Sequence, residues 1–489
     1  VFSSTNPICL AIFNNLFMSI AEQMGLVLEN TAASINIKER LDFSCAIFNA
    51  TGALIANAPH MPSHLGSMGE SITTLIRDRS GDISPGDAYV QNAPYNGGTH
   101  LPDITIIKPI FSDNGDLLFY VASRGHHTDI GGKTPGSAPA DSTSIEEEGI
   151  VIDNFKLVEN DYFREQEIYE ILTSGRWPSR NPEMNIADLK AQLAACEKGA
   201  RELEKMVAHY SLETVHSYML HVQNNAEEAV RRVLAELEGG KFTYKMDCGS
   251  QISVAISVDQ KNRTAVVDFS GTSGQHPGNF NAPTAVVKAA VLYTFRCLAG
   301  DNIPLNEGCL KPVEIIIPEK SMINPEYPGA VISGNTETAQ ALVDTLFGAL
   351  GISAASQGTM NNFIWGNDQY QYYETICGGS GATSEHDGTD AVHTHMTNSR
   401  LTDPEILEWR FPVILESFSI RQGSGGKGLK YGGDGVVRRL KFLEAMNVNT
   451  LSGHRKVPPY GMAGGGSGEV GENTVEHADG SVTHLSGTD

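Results

Sequence analysis

Apolar residues near the start of the chain fall mostly at three- and four-residue steps: Leu10, Ile12, Phe13, Leu16, Phe17, Ile20 and Met24. That spacing lines one side of a helix and predicts an amphipathic helix from Pro7 to about Leu28. The period then changes. Asp42 to Asn57, DFSCAIFNATGALIAN, reads as two short strands about an Asn-Ala-Thr-Gly turn, and strand-like segments continue through Ile110 and Val121. From Asn185 to Leu237 the chain carries helix formers throughout, helical apolar spacing and no proline, which predicts one or two long helices. Alternation returns after Gly239 in FTYKM, ISVAISVD and RTAVVDFSG, followed by a helical pattern near Thr284 to Leu298, a strand VEIIIP and a helix near Thr338 to Ala354. The last hundred or so residues are rich in glycine and read as strand and loop. Helices and strands that mix without regular alternation favour an α+β architecture, a large multi-layer unit with β-hairpins and a long central helical segment. Three regions are expected within one integrated unit: an α+β region over 1–160, a helical segment over 161–240, and a glycine-rich α+β region over 241–489.

Composition narrows the function classes. Of the 489 residues 40 % are hydrophobic and 19 % charged, the balance of a globular chain. The formal net charge of −23 repels a phosphate backbone or an anionic lipid surface, so neither nucleic acid nor membrane is an expected partner. The seven cysteines are scattered, form no CxxC pair, and suit free thiols in a reducing cytoplasm. No uninterrupted apolar run approaches the ~18 residues of a bilayer span, and the opening VFSSTNPICLAIFNNLF lacks a basic n-region and a small-residue cleavage site. A soluble, cytoplasmic protein is expected. Opening without Met and stopping in mid-phrase at HLSGTD, the sequence is compatible with a piece of a longer polypeptide.

The chemistry concentrates between Pro94 and Gly132. DITIIKPIF and LLFYVASRG flank Ser112-Asp113-Asn114-Gly115-Asp116, and Asn-Gly is the strongest two-residue hairpin signal. With Asn114 and Gly115 as the loop, Asp103 lies directly opposite His126. Opposed residues on one face hold their Cβ atoms about 4.5 to 5.5 Å apart, close enough for a carboxylate and an imidazole to share one ion. His100 sits three residues before Asp103 in a glycine-preceded loop, because Pro102 disfavours a continuous helix there. Two histidines and one carboxylate with room for water suit a catalytic Zn²⁺, Mn²⁺ or Fe²⁺ site. Against this stands chance, since fifteen histidines will fall near aspartates anyway. A β-bulge would shift the pairing and bring His127 forward, making His127 and Asp129 reserve ligands; their plainer roles are a surface imidazole and a turn-forming carboxylate. His60 and His64 in HMPSHLG either line the same pocket or are loop residues about a proline. His386, Asp387, Asp390, His393 and His395 form either a polar loop or part of a substrate pocket.

Five phrases carry a family resemblance: NIKERLDFSCAIF (Asn36 to Phe48), PHMPSHLGSM (Pro59 to Met68), GGTHLPDITIIKP (Gly97 to Pro109), SRGHHTDIGGKTPGS (Ser123 to Ser137) and GSGGKGLKYGGDGVVRR (Gly423 to Arg439). In this order they resemble the hydantoinase B family, which includes the C-terminal half of 5-oxoprolinase, the hydantoinase B component of N-methylhydantoinase, and the alpha subunit of acetone and acetophenone carboxylases; AEQMG, NIKERLDFSC and SRGHHTDIGG look most like 5-oxoprolinase. The resemblance implies a metal, manganese in the acetone enzyme, at His100, Asp103 and His126, and an oligomer with a hydantoinase A-like ATPase, as a subunit or a fused domain, that binds ATP-Mg and phosphorylates a lactam. His127 or Asp129 would then act as general base or orienting partner, and His64, Arg124 and Lys133 would meet the substrate. The chain has no GxxxxGK[ST] nucleotide loop, as that division of labour requires, although backbone amides of Gly423 to Gly428 could touch a phosphorylated intermediate. The alternatives are a hydantoin-opening subunit, a carboxylase subunit, and, in another class, a non-catalytic scaffold whose long helices bind the ATPase.

Overall fold

The structure is a computed structural model and describes residues 6–300, 303 and 305–488. Helix α1 (Pro7–Thr31) begins at Asn6, whose side chain accepts the Ile8 N–H at 3.0 Å, with proline in the first turn where its missing N–H costs nothing. By length and composition α1 could cross a bilayer, although polar residues interrupt its apolar run. Phe13, Phe17, Ile20, Met24 and Leu28 are instead buried in the protein core.

After the short α2 (Ile35–Lys38) come β1 (Phe43–Asn49), β2 (Leu54–Asn57), α3 (Pro62–Asp78), β3 (Ala88–Gln91), β4 (Asp103–Phe111), β5 (Leu117–His126), β6 (Phe155–Glu159) and β7 (Tyr162–Phe163). These strands form one antiparallel sheet in the order β2-β1-β5-β4-β3-β6-β7. Following α4 (Glu165–Leu172), the central segment folds as two helices, α5 (Pro182–Tyr210) and α6 (Leu212–Leu234), broken at Ser211, whose φ is 73° and whose hydroxyl accepts the Thr214 N–H. Both faces of the sheet are covered, so β1, β4 and β5 are buried almost throughout rather than at alternate positions. Cys45, Ile47, Val90, Ile104, Ile106 and Val121 face α1, α5 and α6, whereas Ala46, Phe48, Tyr89, Ile107, Tyr120 and Ala122 face Met68, Ile72 and Leu75 of α3.

A second core follows. Strands β8 (Gly240–Lys245), β9 (Gln251–Asp259), β10 (Thr264–Asp268) and β11 (Val313–Ile316) form a four-stranded sheet in which only β10 and β11 run parallel; α7 (Thr284–Ala299) and α8 (Ala339–Leu350) pack with it. Helix α7 lies against α3, and Gly66 makes this possible: a Cβ there would fall 2.4 Å from Ala289 Cα. A π-helical turn, Gly334–Thr338, leads into α8. The remainder comprises β12 (Asn362–Gly366) and β13 (Gln371–Thr375), α9 (Pro404–Arg410), the long two-stranded ribbon of β14 (Val413–Arg421) and β15 (Gly435–Phe442), β16 (Asn447–Leu451), which joins β12 and β13 in a small sheet, and a last ribbon of β17 (Asn473–Glu476) and β18 (Val482–Leu485). Helices and sheets thus occur in segregated layers, an α+β fold.

Candidate metal centre

Strands β4 and β5 pair with Asp103 opposite His126, the register expected from the hairpin pattern, but the loop is different. Ser112 N–H bonds Asp116 O at 2.8 Å and Gly115 takes a φ of 84°, so Asp113, Asn114 and Gly115 form a three-residue loop. That alone would displace the pairing by one. A bulge restores it: Ile110 pairs with Phe119 and Phe111 with Leu117, leaving Leu118 as the extra residue. Asp103, Thr105, Arg124 and His126 consequently point toward α3, and His127 points toward α5.

Five side chains converge on the Asp103 carboxylate. His100 Nε2 lies 3.1 Å, His126 Nδ1 3.2 Å and His64 Nε2 3.2 Å from Asp103 Oδ1. The other oxygen, Oδ2, accepts from the Thr99 hydroxyl at 2.8 Å and the Asn335 amide at 3.2 Å. Each imidazole arrives by a different route. His126 ends β5, His64 occupies the first turn of α3, and His100 follows a loop so tight that a Cβ on Gly98 would fall 2.5 Å from Asn92 O. Asp42 adjoins them: its carbonyl accepts the His126 N–H, and its Oδ1 lies 3.9 Å from His64 Nε2. Tyr373 stacks on His126 at 4.5 Å, with the Arg40 guanidinium 4.8 Å from the tyrosine ring centre.

The donor set fits a cation. Ligand atoms of His100, Asp103 and His126 all lie within 4.8 Å of one another, and all three residues are buried. Both ring nitrogens of His100 and Nε2 of His126 are buried without a hydrogen-bond partner, the 3.1 Å approach of His100 to Asp103 being off the hydrogen-bond line. Burial opposes the charge on Asp103, yet the imidazoles of His100 and His64 outweigh it and hold the carboxyl well below its usual range. Burial pushes the His126 pKa down despite its bond to Asp103. At neutral pH a charged carboxylate therefore faces a neutral imidazole, the protonation states that metal ligands need.

Several residues expected at the site are elsewhere. His127 Nε2–H donates to Gln192 Oε1 at 2.9 Å and its Nδ1 accepts from Asn185 at 3.1 Å, so neither nitrogen is free to take a proton, and the ring fastens the sheet to α5. Asp129 accepts from Gly131 N, Gly136 N and Arg180, a turn-forming role rather than that of a base. Arg124 is buried and donates to Thr105, Ser67 and Ser71 hydroxyls at 2.7, 2.5 and 2.8 Å; it joins β4, β5 and α3 instead of meeting a substrate. Lys133 pairs with Asp141 at 2.7 Å and Glu147 at 3.5 Å, and His60 accepts the Cys45 N–H. The histidines of the 386–395 segment do not gather: His386 is exposed, His395 bonds Asp344 at 2.9 Å, and His393 is half-buried near Arg40 and Asp42 with its pKa pushed down to about 4, first by desolvation. Asp387 and Asp390 accept the backbone N–H groups of Tyr431 and Asp434, and Asp434 in turn accepts those of Gly423 and Gly425, so these amides are not open to a phosphate.

A site of this make-up, on this scaffold, belongs to a recognised class. Residues 6–489 match the family model described as Hydantoinase B/oxoprolinase, and the chain is a member of that family. It is 44 % identical over 99 % of its length to 5-oxoprolinase of Dictyostelium discoideum and 46 % identical over 98 % to 5-oxoprolinase 1 of Arabidopsis thaliana, spanning 39 % and 40 % of those longer proteins. A shorter relative, from Methanocaldococcus jannaschii, is 37 % identical over 96 % of this chain and is itself covered over 84 % of its length. Among solved structures, an ATP-dependent caprolactamase from Pseudomonas jessenii superposes with a TM-score of 0.89 at 24 % identity, covering all of this chain and 88 % of that one. Nucleotide-free acetone carboxylase superposes with a TM-score of 0.86 at 19 % identity, over 96 % of this chain and 67 % of that one. These two likenesses establish the shared fold.

Proposed function

We propose that this chain is the hydrolytic component of an ATP-dependent 5-oxoprolinase, opening 5-oxo-L-proline to L-glutamate after a hydantoinase A-like partner, subunit or fused domain, has phosphorylated the amide oxygen. The observation that carries this is the buried carboxylate of Asp103 ringed by imidazoles, in a chain similar to 5-oxoprolinases along nearly its whole length. A lactam resists water because resonance deactivates its carbonyl and the opened five-membered ring recloses readily, so the opening must be driven. No GxxxxGK[ST] loop occurs in this chain, which suits ATP-Mg being held by the partner.

His100, Asp103 and His126 would hold a divalent transition metal, Mn²⁺, Zn²⁺ or Fe²⁺. Such an ion supplies a polarised carbonyl and a water acidified to near neutrality. The chain's own residues set the stage. Asp103 contributes the negative charge, Thr99 and Asn335 fix its orientation, and Tyr373 holds the His126 ring plane. Packing of α3 over the sheet leaves Asp103 and the three imidazoles at most 2 % exposed, so these side chains are shielded from bulk water. Water added to the lactam carbonyl carbon breaks its bond to the ring nitrogen, which leaves as the amine once protonated, and a second water takes the phosphoryl group from the resulting acyl phosphate as inorganic phosphate to give the free carboxylate. A cytosolic complex with the ATPase is the setting that suits seven free thiols.

The test is glutamate formation from 5-oxoproline by the chain together with its ATPase partner. Wild type should couple ATP hydrolysis to glutamate and His100→Ala should not. Full coupled activity in His100→Ala would instead mark a scaffold, and turnover of a hydantoin or caprolactam in place of 5-oxoproline would move the assignment to a sister lactam.

A further inference from the structure

We propose that Asn335 is a positioning residue which, with Thr99, ties up one oxygen of the Asp103 carboxylate and leaves the other as the single atom that carboxylate offers to a cation. This rests on the reading of His100, Asp103 and His126 as a metal site but not on which lactam is opened. A carboxylate can only accept hydrogen bonds, so the Asn335 amide 3.2 Å from Oδ2 must present its nitrogen. Thr99 donates to the same oxygen at 2.8 Å. With about two lone pairs per carboxylate oxygen, two donors fill Oδ2. Oδ1, by contrast, is the atom that His64, His100 and His126 all face.

Asn335 does not reach Asp103 by chance packing. The residues lie 232 positions apart, and the backbone between is anchored at several points just before it arrives. Tyr95 donates to Gly329 O, and the buried carboxylate of Glu148 accepts the N–H groups of Val331 and Ile332 at 3.0 to 3.1 Å. Gly334 then passes so near Asn281 that a Cβ would fall 1.8 Å from its carbonyl oxygen. The next turn, Gly334–Thr338, is π-helical, and widened turns of this kind often mark functional positions because they re-aim a side chain. Here the side chain re-aimed is Asn335. Its own Oδ1 is buried without a partner, an unmet acceptor beside the cation site. Holding the carboxylate to one atom keeps a position free for water, which a two-atom grip would occupy.

The experiment loads metal-free wild type, Asn335→Leu and Thr99→Val with Co²⁺ and follows two readouts besides activity: the visible absorption spectrum, which reports coordination number, and the dissociation constant by chelator competition. Removing an orienting partner of a metal ligand typically costs about 10- to 100-fold in affinity. Asn335→Leu should show a loss of that size and a spectrum shifted toward higher coordination as the freed oxygen joins. Thr99→Val, changing the same oxygen from the hairpin side, should move both readouts the same way and serves if Asn335→Leu does not fold. Wild-type spectrum and affinity within threefold in whichever variant folds would overturn the inference while leaving the metal reading intact. Failure of the wild type to bind Co²⁺, Mn²⁺ or Zn²⁺ would overturn both.

Discussion

Replacing Asp103 with Asn nearly preserves shape while removing the one charge that three imidazoles face. In the metal-free protein the loss is modest. The two hydrogen bonds to Oδ2, from Thr99 and Asn335, change from charge-assisted to neutral, each falling from roughly 1.5–3 to roughly 0.5–1.5 kcal/mol, the new amide NH2 donates to His126 Nδ1 in place of accepting from it, and the smaller cost of burying a neutral amide offsets much of the loss. Metal binding should suffer far more. Altering an orienting partner costs up to about 100-fold, so losing the only carboxylate of the triad should cost at least that, about 2.7 kcal/mol. The assay is competition between metal-free protein and a chromophoric chelator for Mn²⁺, Zn²⁺ and Fe²⁺, with circular dichroism to verify the fold. Asp103→Asn that is folded and binds each ion within threefold of wild type would refute the assignment of this carboxylate as a ligand.

Arg124→Met should destabilise the protein by about 2–4 kcal/mol, because it strands the buried Thr105 hydroxyl and takes the donor from those of Ser67 and Ser71, which keep only their backbone carbonyl partners, while the KM for 5-oxoproline stays unchanged; urea unfolding and steady-state kinetics separate the two. Gly97→Ala should cost at least about 1–2 kcal/mol and loosen His100, since φ is 88° and the new Cβ would fall 2.7 Å from Glu70 O; thermal melting and metal affinity should fall together. Glu148 is pushed up from 4.5 to about 7, first by burial and against the N–H groups of Ile332 and Val331. The folded state therefore keeps a proton that the unfolded chain releases, so this group's contribution is full below pH 4.5 and lost as pH rises through about 7, about 3 kcal/mol in all. In Glu148→Gln the melting temperature should decline less over that interval than in wild type, and equal declines would contradict the assignment.

Local pattern was enough to place α1, α5, α6 and α7, because each buries a stripe that its own spacing reveals, and β1 and β2, because a turn signal separates two short apolar runs. It also placed Asp103 against His126, though by two departures that cancel: the loop is one residue longer than Asn-Gly suggests, and Leu118 bulges. What local pattern could not carry was the third dimension. His64 reads as a proline-flanked loop residue until α3 is laid across the sheet, and Asn335 belongs to a helix whose widened turn has no sequence signature. Asp42 could have been found, since it precedes the strand that pairs with β5, had the β1–β5 register been available. His127 and Arg124 looked functional from proximity in sequence alone. Alternation along β5 sends His126 to the site and His127 to the helix behind it, whereas Arg124 shares the face of His126 and is taken up by hydroxyls of β4 and α3.

The far tip of the β4–β5 hairpin is exposed, and such tips usually tolerate changes in length. This one does not do so freely, because loop residues and bulges together fix a parity. Were Leu118 drawn into regular pairing with the loop unchanged, Gly125 would stand opposite Asp103 and His126 would turn its ring to the wrong side. Any insertion or deletion at the tip therefore has to be matched by a bulge gained or lost, or Asp103 would face a glycine in place of an imidazole.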